Sequence, residues 1–185
     1  MVLRNGTYRV GAESGRLLVR TGRTGLGSRV GHDLTIEADA WSGTVTVDTN
    51  DPARSSLAVE VDVNSLRVVE GSGGVKPLTG SDRAEIERTM RDKILQATRH
   101  PAITFRSTGV TGTAESFTVD VDLTIVDKTR PVEVRGSLRD DGRVRATATV
   151  VQSRWGIKPY SAFFGALKVA DEVMVEVDAT LVPAG

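Results

Sequence analysis

The sequence predicts one all-β domain over residues 1–185, an antiparallel β-barrel of about eight strands with a single inserted α-helix. Three observations support this prediction. Apolar and polar residues alternate with a period of two along most of the chain. Turn-forming residues separate the alternating runs. Only one segment, residues 82–97, has the apolar spacing of a helix instead.

The alternating runs predict strands with one apolar face and one solvated face, which is typical of antiparallel sheets. In the clearest run, Val59, Val61 and Val63 alternate with Glu60 and Asp62. Some runs can be two halves of one bent strand. In chain order the candidate strands are residues 8–20, 34–40, 43–48, 57–63, 101–107, 117–125, 132–138, 143–150 and 173–181, and turn signals lie at 50–52, 112–115 and 140–142.

The helix over residues 82–97 is predicted from its start signal, its apolar stripe and its end. Asp82 and Glu85 have the spacing of a capping box. Ile86, Met90 and Ile94 recur every four residues, and His100-Pro101 ends the segment. A lone helix in an antiparallel barrel is expected to cover a barrel end or an exposed strand edge.

The composition narrows the function classes. The chain has 24 basic and 24 acidic residues, so no basic field favours nucleic acid or an anionic membrane. It has no cysteine, which excludes disulfides and thiolate sites. Residues 1–6 carry no apolar signal-peptide core, and no stretch reaches the length of a membrane helix. We therefore expect a soluble, cytoplasmic protein.

An enzymatic role has little support in the sequence. Only His32 and His100 could act as a base near neutral pH. No serine elbow, metalloprotease motif, phosphate loop or dinucleotide fingerprint is present. Acidic residues such as Asp120 and Asp122 fall on outward strand faces. The sequence therefore predicts a binding protein without catalytic residues, metal or cofactor.

A set of motifs in fixed order spans most of the chain. They are Gly31-His32-Asp33-Leu34, Val59-x-Val61-x-Val63-x-Ser65-Leu66, the helix running into Pro101–Ser107, Leu123-Thr124-Ile125-x-x-Lys128-Thr129-Arg130-Pro131-Val132, Gly156-Ile157 and Leu167-x-Val169-x-Asp171-x-Val173. This set resembles the YceI family, the lipocalin-like polyisoprenoid-binding proteins. The resemblance implies an apolar lumen for a polyprenyl phosphate or quinone. Many relatives carry a secretion signal, which is not visible here.

Small residues at inward positions favour a hollow barrel over a filled one. Ala38, Ala146 and Ala148 alternate with larger apolar residues, and aromatic residues make up only 4% of the chain. The alternative is that small residues fit the taper of a filled barrel. A filled barrel would be a structural or protein-interaction module without a lipid. The predicted lumen-lining residues also include Leu34, Ile36, Phe105 and Phe117.

Strand parity points to polar groups at the ends of the lumen. Continuing the inward face of 143–150 reaches Gln152 and Arg154, and continuing that of 34–40 backwards reaches His32. A buried charge is costly unless it is paired or at a wet mouth. Arg154 is thus expected either to contact a head group or to lie beyond the strand end. For His32 a structural hydrogen bond is favoured over a ligand contact.

The longer connections predict an entrance at one end of the barrel. If successive strands are antiparallel, the helix, the segment 128–131 and the loop 154–170 share one end, and His32 lies at the other. The loop contains most of the aromatic residues, with Lys158 and Lys168 as candidate phosphate contacts. Its aromatic residues could form an apolar portal, transiently touching a membrane, or a small core under the loop; they are Trp155, Tyr160, Phe163 and Phe164. A homodimer through an exposed strand stays open.

Overall fold

A computed structural model describes residues 2–25, 31–162 and 167–185. Among these residues, thirteen strands form one antiparallel sheet that curls around an apolar interior, with one α-helix. The strands are β1 Gly6–Gly11, β2 Gly15–Thr24, β3 Asp33–Ala38, β4 Trp41–Val47, β5 Ser56–Asp62, β6 Leu66–Ser72, β7 Ala102–Gly112, β8 Phe117–Ile125, β9 Lys128–Leu138, β10 Arg143–Val151, β11 Ser161–Ala162, β12 Leu167–Thr180 and β13 Val182–Pro183. Helix α1 spans Gly80–Thr89 and continues into a π-helical turn, Met90–Ile94.

The predicted all-β fold with one helix is confirmed, although thirteen strands replace the predicted eight or so. Hydrogen-bonded neighbours follow the order β13-β1-β4-β5-β7-β8-β9-β10-β12-β2-β3-β6, and β11 pairs with β12 off this path. Bends explain most of the larger number. β1 and β2 are the two halves of one bent strand, and so are β3 and β4, because β1 pairs with β4 and β2 with β3. β5 and β6 repeat this arrangement, since β5 pairs with β4 and β6 with β3.

The two ends of the curled sheet are connected differently. We call the end that carries α1, the end of β2 and the start of β3 the helix-side end. The other, the hairpin-side end, carries the short connections β4–β5, β7–β8 and β9–β10. The prediction that His32 lies opposite the helix is wrong, because the chain bends at Asp39-Ala40 and continues as β4 instead of turning back. His32 therefore lies at the helix-side end.

Helix α1 covers the edge of β6, which pairs only with β3 among the described strands. The Glu87 carboxylate accepts a hydrogen bond from Val68 N at 2.9 Å, and Arg83 donates to Val69 O at 3.3 Å. Side chains of the helix thus replace a neighbouring strand. The helix starts before the predicted Asp82, because Thr79 is its N-cap and Asp82 completes the capping box from the third position.

The turn between β8 and β9 consists of Val126 and Asp127 alone. Both have positive φ angles, 48° and 61°, as the tight two-residue hairpin turn requires. The predicted turn segment Lys128–Pro131 is instead the beginning of β9, paired with β8. The prediction failed because a β-branched residue such as Val126 rarely adopts a positive φ, so nothing in the sequence marked the turn.

Candidate functional site

The interior of the curled sheet is hollow. In a filled core, inward-facing apolar side chains are fully buried. Here many of them remain partly exposed although they pack against the core clusters, including Val19, Leu34, Val45, Val59, Phe105, Phe117, Val144, Val175 and Val177. The space beside them forms two apolar cavities, one toward each end of the barrel.

The helix-side cavity has a volume of about 560 Å³. Its walls come from β2, β3, β7 and β12, and helix α1 with its π-helical turn adds Ile86, Met90 and Ile94. These three residues are the apolar stripe predicted for the helix. Polar side chains at this cavity are Thr21, Arg23, His32, Asp82, Glu85, Thr89, Gln152, Tyr160 and Lys168.

The hairpin-side cavity has a volume of about 450 Å³. Its apolar wall includes Val45, Leu57, Phe117, Val134 and Ala146. Three acidic residues lie at its rim: Asp48, Glu115 and Asp140. No Lys or Arg of the described chain lines this cavity. Arg54 Nε lies 3.8 Å from the Asp48 carboxylate, so among the described residues Glu115 and Asp140 are the rim carboxylates outside an ion pair, and they disfavour an anionic group.

Three side chains line both cavities: Leu17, Phe105 and Val175. Leu17 on β2 and Val175 on β12 belong to neighbouring strands. Phe105 comes from β7, which is separated from β12 by β8, β9 and β10 in the strand order. The two cavities therefore meet at these three side chains, which we call the waist, with Phe105 on a part of the sheet distant from the neighbouring Leu17 and Val175.

Most of the predicted binding residues lie at these cavities. His32, Leu34, Ile36 and Tyr160 line the helix-side cavity. The hairpin-side cavity is lined by the predicted Phe117, Ala146 and Ala148, and Phe105 lines both. The small residue Gly136 makes room for Phe117, because a β-carbon there would lie 2.7 Å from the Phe117 ring. Phe163 and Phe164 lie outside the described residues.

Three predicted residues lie elsewhere. Arg154 is exposed, and its guanidinium lies 5.7 Å from the centre of the Trp155 ring. It points away from the lumen because β10 ends at Val151 and a 3-10 turn begins at Gln152, so strand parity no longer applies. Trp155 is 1% exposed and donates from Nε1 to Leu123 O at 2.9 Å, which makes it part of a small core under the loop. Ala38 is packed in the core and lines neither cavity.

His32 has a structural hydrogen bond at the mouth of the helix-side cavity. Its Nε2 lies 2.6 Å from Lys76 O and donates to it, because a carbonyl oxygen can only accept. Gly74, with φ of 74°, lets the backbone approach, since a β-carbon there would lie 2.6 Å from the His32 ring. Next to it, Arg23 pairs with Asp33 at 2.9 Å and donates to Gly31 O. His32 thus anchors the segment before α1 and also lines the cavity.

Gln152 and Asp171 fix the turn after β10 at the helix-side end. Gln152, predicted to face the lumen, lines the cavity and donates to Ala170 O at 3.1 Å. The register of β12 shifts between Val169 and Val173, which leaves Asp171 outside the regular pairing. Its carboxylate accepts hydrogen bonds from Ser153 N and Oγ, at 2.8 and 2.5 Å. The bulge thus holds the turn after β10 in place.

Sequence reasoning missed several lining residues. Leu17, Val19, Val173 and Val175 line the cavities, yet none was predicted to do so. The alternation of β12 contained the signal, because Val173, Val175 and Val177 share one strand face. The weaker alternation at 8–20 hid the inward face of β2.

Charges at the helix-side mouth include two cations, Arg23 and Lys168, and two anions, Asp82 and Glu85. Hydrogen bonds from Thr79 in the capping box lower the pKa of Asp82. Asp82 therefore stays ionised near neutral pH. No group of His, Asp and Glu in the described chain has an arrangement that could hold a metal ion. None of the described helices is long and apolar enough to cross a membrane.

Comparisons with known proteins agree with this architecture. The model of the YceI-like domain matches residues 19–181. The fold is similar to that of BcnA from Burkholderia cenocepacia, with a TM-score of 0.67, 16% identity, and 93% of this chain and 98% of that chain covered. It is also similar to a polyisoprenoid-binding domain from Saccharophagus degradans implicated in plant cell wall breakdown (TM-score 0.53, 11% identity, 95% and 99% covered).

A third similar structure is the YceI protein of Campylobacter jejuni, with a TM-score of 0.54, 12% identity, and 78% of this chain and 81% of that chain covered. At these identities the structural likeness extends to the fold alone. No curated protein matches the sequence.

Proposed function

The chain belongs to the YceI-like domain family, and from that premise we propose that it binds an amphiphilic isoprenoid lipid, of the polyprenyl phosphate or quinone type, in its lumen. Storage or transport of that lipid would be its role. The hollow interior is the observation that carries the proposal: two cavities of about 450 and 560 Å³ have predominantly apolar walls. Both volumes fall in the range typical of ligand sites.

Burial of the apolar tail accounts for most of the expected affinity. Each methylene removed from water contributes about 0.8 kcal/mol, so a dozen contribute on the order of 10 kcal/mol before the cost of association. A few prenyl units are then enough for micromolar binding. The head group would set selectivity more than affinity.

The distribution of charge favours one orientation of the lipid. The helix-side mouth carries the cations Arg23 and Lys168 beside the anions Asp82 and Glu85, whereas the hairpin-side rim carries Asp48, Glu115 and Asp140 with no lining cation in the described chain. A phosphate would be repelled by the acidic rim, whereas at the helix-side mouth Lys168, together with Arg23 in its ion pair with Asp33, offsets the nearby carboxylates. We therefore propose that the polar head lies at the helix-side mouth and the tail points into the lumen.

The protein would act as a carrier and not as a catalyst. The hydrogen bond from His32 to Lys76 O already gives this histidine a structural task. Turnover of a prenyl ester that disappears in His32→Ala would contradict the carrier role. Transient membrane contact, a homodimer and a cytoplasmic location stay predictions that vesicle flotation, sedimentation and cell fractionation can test.

Mass spectrometry of an organic extract of the purified protein tests the proposal. We expect a prenyl lipid in the extract, and a higher Tm of the delipidated protein when a polyprenyl phosphate or a quinone is added. Absence of any prenyl lipid, together with no shift in Tm, would contradict the proposal and favour an interaction module without a lipid.

A further inference from the structure

The waist between the two cavities divides the lumen into two compartments. Leu17, Phe105 and Val175 line both cavities, and all three are apolar. Leu17 is 3% exposed, so it has little room to move, whereas Phe105 and Val175 are only partly buried. Phe105 is the largest of the three and the only ring among them. It is therefore the bulkiest side chain that the two cavities share.

The connection matters because the two compartments differ in what they accept. The helix-side mouth has charges of both signs, and the hairpin-side rim is acidic in the described chain. An anionic or polar head group is thus best placed at the helix-side mouth. Its chain then reaches Phe105 before it reaches the hairpin-side cavity.

We infer that Phe105 determines the length of chain that the protein holds: a short chain fills the helix-side cavity alone, and a longer chain must displace the Phe105 ring to enter the second cavity. Displacement of a packed aromatic ring costs free energy. The cost offsets the gain from each further buried methylene. The inference rests on the proposed function only in requiring that an apolar chain enters the lumen.

Straight-chain alcohols from hexanol to octadecanol test this inference, with affinity measured by displacement of a fluorescent apolar probe. For the unmodified protein we expect the affinity to rise about fourfold per methylene and then to level off once the chain reaches Phe105. In Phe105→Ala the rise should continue, so that octadecanol binds about tenfold more tightly than to the unmodified protein.

Two further variants keep the test decisive. Phe105→Leu replaces the ring with a smaller aliphatic side chain that still packs against apolar neighbours, and it should also move the levelling-off to longer chains. Arg106→Ala is the matched control, because Arg106 follows Phe105 on β7 and is exposed. The control should level off at the same chain length as the unmodified protein.

The outcomes distinguish failure of the inference about Phe105 from failure of the proposed function. The inference is overturned if the affinity of the unmodified protein rises without levelling off, or if both Phe105 variants level off at the unchanged chain length. Failure of the proposed function looks different: the alcohols bind and level off as expected, but no isoprenoid binds more tightly than an alcohol of similar length.

Discussion

The helix-side and hairpin-side ends of the barrel are built by different means. At the hairpin-side end, short backbone turns connect the strands, and the rim is acidic. At the helix-side end, α1, the π-helical turn and the turn after β10 supply side chains that replace backbone pairing and line the cavity. Glu87, Asp171 and His32 each hold a backbone segment there.

We therefore expect residues at the hairpin-side end to affect mainly the stability of the fold, and residues at the helix-side end to affect ligand specificity as well. At the hairpin-side end, polar side chains hold the turns, as Asp48 does by accepting hydrogen bonds from Asn50 N and Asp51 N. These contacts lie away from the mouth proposed for the head group. At the helix-side end, His32 and Gln152 have two roles, because each bonds a backbone carbonyl of a connecting segment and also lines the mouth. Variants should therefore have different effects at the two ends.

A substitution that fills the helix-side cavity should have the largest effect, a loss of ligand affinity. Val173→Phe places a ring in the cavity where Val173 is only partly buried. Loss of roughly three buried methylenes lowers the affinity for farnesol about fiftyfold, whereas Ala146→Phe in the hairpin-side cavity should change it little. Titration calorimetry measures both. Met174→Phe is the matched control, since Met174 is 42% exposed on the outer face; equal losses in all three variants would contradict the assignment.

Substitutions of the two tryptophans should lower the free energy of unfolding by different amounts. Trp155 donates to Leu123 O, while the buried Nε1 of Trp41 has no acceptor among the described residues. Trp155→Phe loses a hydrogen bond and packing, so we expect about 2 kcal/mol of destabilisation. Trp41→Phe should cost about 1 kcal/mol less, because no hydrogen bond is lost. Denaturant unfolding measures the difference, and a larger cost at Trp41 would reverse the comparison.

A smaller effect is expected where helix α1 covers β6. Glu87→Ala removes the acceptor of Val68 N and should cost about 1 kcal/mol. Glu87→Gln keeps a side-chain oxygen and should lose less. Hydrogen exchange at the Val68 amide checks this locally: exchange should be faster in Glu87→Ala than in Glu87→Gln. Unchanged exchange in Glu87→Ala would mean that this hydrogen bond does not protect the strand edge.

The smallest effect concerns acid stability. Hydrogen bonding to Arg143 lowers the pKa of Asp178 below its ordinary value of 3.8. The folded protein therefore binds fewer protons at this site than the unfolded chain. The stability from Asp178 is complete above pH about 4 and is lost as the pH falls through the lower folded pKa.

Asp178→Asn should reduce stability slightly at neutral pH and flatten its decline below pH about 4. Thermal unfolding between pH 2 and 7 measures the slope of stability against pH. Asp82→Asn provides the comparison at the helix-side end, because the pKa of Asp82 is also lowered, by Thr79. A slope that stays unchanged in Asp178→Asn would show that other carboxylates govern acid unfolding.

The sequence predicted the fold because one periodicity dominates it. Runs such as 117–125 and 173–181 alternate cleanly, and the structure contains them as strands β8 and β12. The apolar stripe Ile86, Met90 and Ile94 likewise predicted which helix residues face the interior. These features depend on local patterns, which a single sequence contains.

The errors have a common physical origin in the backbone between the regular runs. The bend at Asp39-Ala40 looks like a turn in sequence, so the prediction placed His32 at the wrong end. The end of β10 at Val151 removed Arg154 from the lumen. Neither feature changes the alternation on either side. The waist at Phe105 was also invisible, because it joins strands that are distant in sequence.

The hollow interior also has a mechanical consequence. Hydrostatic pressure favours whichever state occupies less volume, and unfolding removes internal voids. Cavities of about 450 and 560 Å³ therefore make the empty barrel compressible, to the extent that solvent does not fill them. A bound chain takes up that space. The protein should therefore unfold at a higher pressure when its lumen is filled than when it is empty.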